Sequence, residues 1–334
     1  MRLFTDDEQL LSKLNAMGNP LERLDKVMNW ALFTRVLIDI YDKPNKDKSK
    51  GGRPPYDFLM MFKVLLLQRL HNLSDDAMEY QLLDRLSFRR FVGCDEHKIP
   101  DAKTIWLYRE RLTKSGKEDA LFDLFYQTLE DSGLIAHKGQ IVDASFVEAP
   151  KQRNNRDENK QIKEGHIPEE WNNNKRAQKD PDARWAKKGD QNYFGYKNHV
   201  SVDRKSKFIK KYELTAANVH DSNVLEELCD SNEPVFDDSA YIGQKVPEGC
   251  QHHTCRRAFR NKPLTDLDKR INQSISRVRC RVEHVFGFIE TTMKGSTFRG
   301  VGKKRAKTNA MLTNLVYNIC RFEQIQRLGL KTWA

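Results

Sequence analysis

The hydrophobic period of the chain changes at Gly139, and one layer type cannot serve both halves. Before it, apolar residues recur at helical spacing in one segment after another. After it, β-branched and apolar residues gather in runs of a strand's length. Asn19-Pro20 supplies an N-cap and a first-turn proline for a helix through "PLERLDKVMNWALFTRVLIDIY". A charged run at 42–52 interrupts the pattern. Further helices follow in "RPPYDFLMMFKVLLLQRLHNL", in "DDAMEYQLLDRL" after Ser74, in "AKTIWLYRERL" after Asp101, and in "KEDALFDLFYQTLEDSGL". Residues 1–135 are thus expected to form an all-helical N-terminal domain. Helix-turn-helix DNA binding and a dimerisation scaffold both use this pattern. "GRPP" at 52–55 reads either as a minor-groove arginine hook or, more simply, as a proline at a helix start.

The second half, 136–334, opens with a strand in "QIVDASFVEA" (140–149). The polar tract 150–191 carries few apolar residues and is expected to be a long loop or partly disordered insertion. "NYFGYKNHVSVD" and "KFIKKYELTAA" read as two strands joined by "RKS". A short helix capped by Asp221 or Ser222 follows, then a strand over 234–243. Apolar residues at helical spacing, among them Ile275, Val282, Val285 and Ile289, predict a long helix over roughly 265–293. Met311, Leu312, Leu315, Val316, Ile319 and Phe322 mark a last one. The fold class expected is α+β, a mixed sheet flanked by helices behind the helical domain.

Charge narrows the partner. The formal net charge is +11, and residues 256–307 hold all of it, fifteen Lys and Arg against four Asp and Glu. A basic excess confined to one segment is a footprint for a polyanion, and double-stranded nucleic acid is the leading partner. A membrane is not expected: "FLMMFKVLLL" (58–67) is too short to span and holds Lys63. The opening "MRLFTDDEQL" has acids where a secretory signal needs an apolar stretch, and the six cysteines read as reduced thiols, so a cytoplasmic location is expected. "CQHHTC" at 250–255 packs its residues too tightly for usual zinc spacing and reads as a short strand or turn.

Three acids stand out. Asp143 sits inside an apolar strand, where a charge is costly unless paired, solvated or bound to metal. Asp237-Asp238 end a second apolar strand. Glu283 follows Arg277, Arg279 and Arg281 on the long helix, one turn beyond Arg279. Each alone has an ordinary explanation as a turn cap or a surface ion pair. Together, beside a basic segment, they make a candidate site for a hard divalent cation such as Mg²⁺. Lys197 and His199 alternate on one strand, within reach of DNA or on a solvated face. His220 precedes a helix as a candidate cap.

The ordered blocks "GRPPYDFLMMFKVLLLQRLHNLSDDAMEYQLLDRLSFRRFVG", "IPDAKTIWLYRERL", "VDASFVEAP", "KDPDARWAKKGDQNYFGYKNHVSVD", "LTAANVHDS", "DDSAY", "RVRCRVEHVFG" and "NLVYNICR" run through most of the chain. It resembles the DDE transposases of bacterial insertion sequences, in the group named for insertion sequence five. The resemblance implies an RNase H-like catalytic core and metal-dependent cleavage at terminal inverted repeats. Strand transfer of the freed 3′-hydroxyl into target DNA follows, with Mg²⁺ as cofactor and Mn²⁺ as its alternative. A homodimer is expected, because two ends must be paired. The acid triad falls on Asp143, on Asp238 (three before Tyr241) and on Glu283, with Arg279 as the arginine of R-x-x-x-E. Ser276 and Glu290 stand where related transposases carry tyrosine and lysine, and Lys294 lies a further turn along. DNA contacts are assigned to Arg277, Arg279, Arg281, Lys294, Lys303, Lys304, Arg305 and Lys197. A nuclease without strand transfer and a non-catalytic repressor are the alternatives.

Overall fold

The computed structural model describes residues 3–42, 54–150, 152–260 and 262–330. It divides into two compact units, one running to Thr128 and resuming at Leu315, the other spanning Leu129–Asn314. The run at 43–50 and the Gly52-Arg53 half of "GRPP" lie outside the described residues.

The first unit is helical: α1 (Leu3–Ala16), α2 (Pro20–Val27), α3 (Thr34–Tyr41), α4 (Phe58–Leu70), α5 (Asp75–Asp84), α6 (Leu86–Val92), α7 (Ala102–Ser115) and α8 (Glu118–Asp131). Asn19, Ser74 and Asp101 cap α2, α5 and α7 through their side-chain oxygens, so three orphan N–H groups are satisfied locally. The helix expected over 20–41 is broken. The backbone turns extended at Met28, a 3₁₀ turn spans Trp30–Phe33, and Trp30 donates from Nε1 to Asp25 Oδ1 at 2.7 Å. That break buries Trp30 and Phe33 together. Helix α4 is buried almost all round, and its mid-helix cation, Lys63, is held by Asp25 Oδ1 at 2.6 Å and the Phe91 carbonyl at 3.1 Å.

The second unit is a six-stranded mixed sheet with helices, in the RNase H-like arrangement. Its elements are β1 (Gln140–Glu148), α9 (Arg156–Lys163), α10 (Asn173–Gln178), β2 (Arg184–Lys188), β3 (Gln191–Asp203), β4 (Ile209–Ala216), α11 (Leu225–Leu228), β5 (Val235–Asp237), β6 (His252–Thr254), α12 (Asp266–Gly287) and the part of α13 (Lys303–Leu328) before Leu315. Strands β4, β3 and β1 run antiparallel, then β5 and β6 continue parallel to β1, while β2 pairs along the first part of β3. Gly195 permits the closest approach of β1 and β3. A Cβ there would sit 2.2 Å from the Val147 carbonyl oxygen.

The tract 150–191 corrects the expectation of a loop. It folds as α9, α10 and β2 around a charged core that hydrophobic periodicity does not register. Buried Glu158 accepts from Lys179 Nζ and Trp171 Nε1, each at 2.9 Å, and closes a capping box with Asn155. Buried Asp180 accepts from Tyr196 Oη at 2.8 Å, Ala183 N at 3.1 Å and Gly302 N at 2.9 Å. Asp182 Oδ2 accepts from Lys303 N at 2.8 Å, so these two acids cap α13 across the sequence.

Candidate active site

Strand β1 pairs with β3 over its whole length but with β5 only at Gln140 and Ile141. Beyond Ile141 its β5-facing edge opens at the carboxyl end of a parallel pair, the usual place for a binding crevice in such sheets. Asp143 and Asp238 both lie two residues past the last paired position, Ile141↔Phe236, and so emerge side by side. The strand expected over 234–243 stops at Asp237, because Asp238 Oδ1 accepts the Ala240 N–H at 2.7 Å and starts a 3₁₀ turn at Ser239–Tyr241. That turn keeps the Asp238 side chain at the edge of the crevice.

Helix α12 packs over β1 and β5. A capping box of Thr265 and Asp268 starts it, and Ile275, Val282 and Val285 bury its inner stripe. The three arginines of its basic run have separate surroundings. Arg277 faces solvent. Arg279 donates from Nη2 to Asp143 Oδ2 at 3.1 Å. Arg281 donates from Nη1 to the Arg204 carbonyl at 2.7 Å, which fastens α12 to the β3–β4 turn. Arg281, expected as a DNA contact, thus has a structural partner within the protein as well.

Burial pushes the Asp143 carboxyl above its ordinary value. Arg279 and the Ala144 N–H oppose this, and the charge of Asp238 adds to it. Tyr241, the tyrosine three residues after Asp238, is buried with its hydroxyl lacking any hydrogen-bond partner. Burial raises its pKa first, then the surrounding charges of Asp221, Asp143, Asp238 and Asp237. The Tyr241 ring packs with Val142, Leu225, Leu228 and Val235, so the hydroxyl is an unsatisfied polar group at the edge of a core.

Glu283 lies on α12 one turn past Arg279. It is exposed, and no hydrogen bond joins it to either aspartate. Among the described residues no group of three His, Cys, Asp or Glu side chains is drawn together as a cation cage. Two of the three acids are therefore adjacent, and the third stands nearby on the covering helix.

Lys197 departs from expectation. Its Nζ donates to the Val219 carbonyl at 2.9 Å and to Asp221 Oδ1 at 2.7 Å, so it is a partly buried cation already engaged by the protein. The solvated strand face is corrected too: β3 is an inner strand, and His199 is fully buried with Nε2 2.8 Å from Thr215 Oγ1. His220 is the cap of the turn at Asp221–Val224, in place of Asp221 or Ser222. Lys294, Lys303, Lys304 and Arg305 are exposed.

Residues assigned no role in the site from the sequence support the acids from behind. Asp237 is fully buried and paired with His252, Oδ2 to Nε2 at 2.6 Å, while the Cys255 N–H reaches the Asp237 carbonyl at 3.3 Å. "CQHHTC" is thus the strand β6 and its flanks, buttressing Asp237-Asp238. Phe146 stacks on Tyr193 at 4.3 Å with Lys188 near its face.

A mixed sheet whose paired strand ends present two aspartates beneath a basic helix defines a phosphoryl-transfer enzyme of the RNase H-like class. Residues 136–319, more than half the chain, match the family described as "Transposase DDE domain", and residues 8–111 match the one described as "Transposase domain (DUF772)". The chain belongs to the DDE transposases. No solved structure matches it. Among the described residues no helix is long and apolar enough to cross a membrane.

Proposed function

We propose that this enzyme is a transposase of the insertion-sequence-five group. It cuts DNA at the terminal inverted repeats of its element and joins the freed 3′-hydroxyl to target DNA. The observation that carries this reading is the emergence of Asp143 and Asp238 at matched positions just past the paired ends of β1 and β5, under α12. Both offer carboxylate oxygens, hard donors suited to Mg²⁺, with Mn²⁺ as substitute. Asp238 Oδ1 is engaged by the Ala240 N–H, which leaves Oδ2 as its second donor oxygen. Glu283 would complete the set from the helix.

When bound, the cation supplies activation of the attacking oxygen and stabilisation of the leaving one. The chain's own part is positioning. Arg277, Lys294, Lys303, Lys304 and Arg305 are exposed cations for phosphates along the basic face. Strands β5 and β6 hold Asp238 through the buried Asp237–His252 pair. Residues 1–135 would read the repeat, and 136–334 would carry out the chemistry. Pairing of two ends calls for a homodimer, acting in the cytoplasm on the element's own DNA.

The test is joining of a pre-cut repeat end to plasmid DNA. Joined product supports a transposase. Cutting without joining supports a nuclease, and binding without either supports a repressor.

A further inference from the structure

The contact between Arg279 and Asp143 gives the arginine a second task. Arg279 Nη2 is 3.1 Å from Asp143 Oδ2, both side chains are mostly buried, and the charge of Asp238 also acts on the same guanidinium. Arg279 Nε is itself buried without a hydrogen-bond partner. The guanidinium is therefore held by its bond to Asp143, with Asp238 and the Cys255 side chain also acting on it. Neighbouring carboxylates repel each other, and a cation fixed on Asp143 within the field of Asp238 offsets that repulsion.

We propose that Arg279 is an exchangeable counter-ion for Asp143 and Asp238, occupying them in the DNA-free protein and leaving Asp143 when a divalent cation binds. This rests on the reading of the two aspartates as cation ligands. An arginine and a divalent cation at the same oxygen repel, so each must weaken the other's hold on it. The released guanidinium, on a helix beside exposed Arg277, is then one turn from Glu283 and available to a DNA phosphate. The protein thus binds its cation weakly until a phosphate gives Arg279 an alternative partner. DNA and cation assist each other without either site changing its fold.

The test reads Mn²⁺ binding by the full chain, without DNA, by electron paramagnetic resonance, so no catalysis is needed. Arg279→Gln should tighten Mn²⁺ binding about tenfold, the scale of one removed ion-pair competitor at a partly exposed site. Arg279→Lys, which keeps the charge, should stay near wild type. Asp143→Asn should abolish the site in either background. If Asp143→Asn leaves Mn²⁺ binding intact, the ligand reading itself fails. If Asp143→Asn abolishes binding but Arg279→Gln does not tighten it, the counter-ion proposal alone fails. Thermal melts exclude misfolding, and a variant that melts early is replaced by Arg279→Met.

A second arm uses a duplex without element ends, at several salt concentrations. Arg279→Gln should lower the salt slope by about one with Ca²⁺ present and leave it unchanged without. An equal drop in both conditions would make Arg279 a permanent DNA contact and overturn the exchange.

Discussion

His199 Nδ1 lies 3.8 Å from Asp221 Oδ1, too far to hydrogen-bond, although the same aspartate oxygen holds Lys197 Nζ at 2.7 Å. The imidazole is thus buried beside an ion pair it does not join. Burial lowers its pKa from the ordinary 6.5 to about 4; Asp221 opposes this and Lys197 adds to it. The unfolded chain binds the proton more readily, so the stability that neutral His199 confers is full above pH 6.5 and lost as pH falls towards 4. Wild type should lose on the order of 3 kcal/mol across that window. His199→Gln should flatten it, as denaturant midpoints at pH 7 and pH 4.5 would show; an unchanged difference would remove His199 as the cause.

A separate, more acidic window belongs to Glu158. Burial pushes its carboxyl up, but hydrogen bonds from Lys179, the Asn155 N–H, Trp171 and Lys175 outweigh it and pull it from 4.5 down to about 2. The stability it supplies is present above pH 4.5 and fades as pH drops towards 2. Tryptophan emission, compared between wild type and Trp171→Phe, should report loosening of residues 152–188 in that range. Glu158→Gln should show the loosened signal already at pH 7.

Asp143→Asn and Asp238→Asn should each reduce cutting of a labelled repeat-end duplex by at least about 100-fold, since losing a ligand forfeits several kcal/mol of transition-state stabilisation. Gel-shift affinity for the same duplex should change little. Wild-type cutting by either variant would remove that residue from the site.

Arg277 and Arg281 sit four residues apart and should behave differently. Arg277→Ala should lower the slope of log affinity against log salt by about one with no loss of stability. Arg281→Ala removes the bond to the Arg204 carbonyl and should cost roughly 1–2 kcal/mol of stability at unchanged slope. A slope change in Arg281→Ala would return it to the DNA surface.

The features legible in the sequence are those written in local chemistry. Asn19, Ser74 and Asp101 cap their helices because a short side-chain oxygen before an apolar run can do little else. Asp143 was conspicuous because an acid interrupts an apolar strand. The illegible features depend on partners distant in the chain. Nothing in "RVRCRVE" says that Arg204 will present a carbonyl to Arg281, or that Asp221 will claim Lys197. The fold of 150–191 escaped because its core is built from Glu158, Lys179 and Asp180, which read as surface. Composition separates polar from apolar; it does not separate paired charge from solvated charge.

Asp180 sits where three parts of the catalytic unit meet: its own tract, Tyr196 on β3, and Gly302 ahead of α13. The tract is for that reason not a cassette. Excising it to make a smaller enzyme would leave a fully buried phenol and the first amides of α13 without acceptors, at about 1–3 kcal/mol for each orphaned group. Shortened versions of this chain should therefore fail in solubility before they fail in chemistry. A minimal enzyme must keep "DPD" at 180–182 or supply other acceptors in its place.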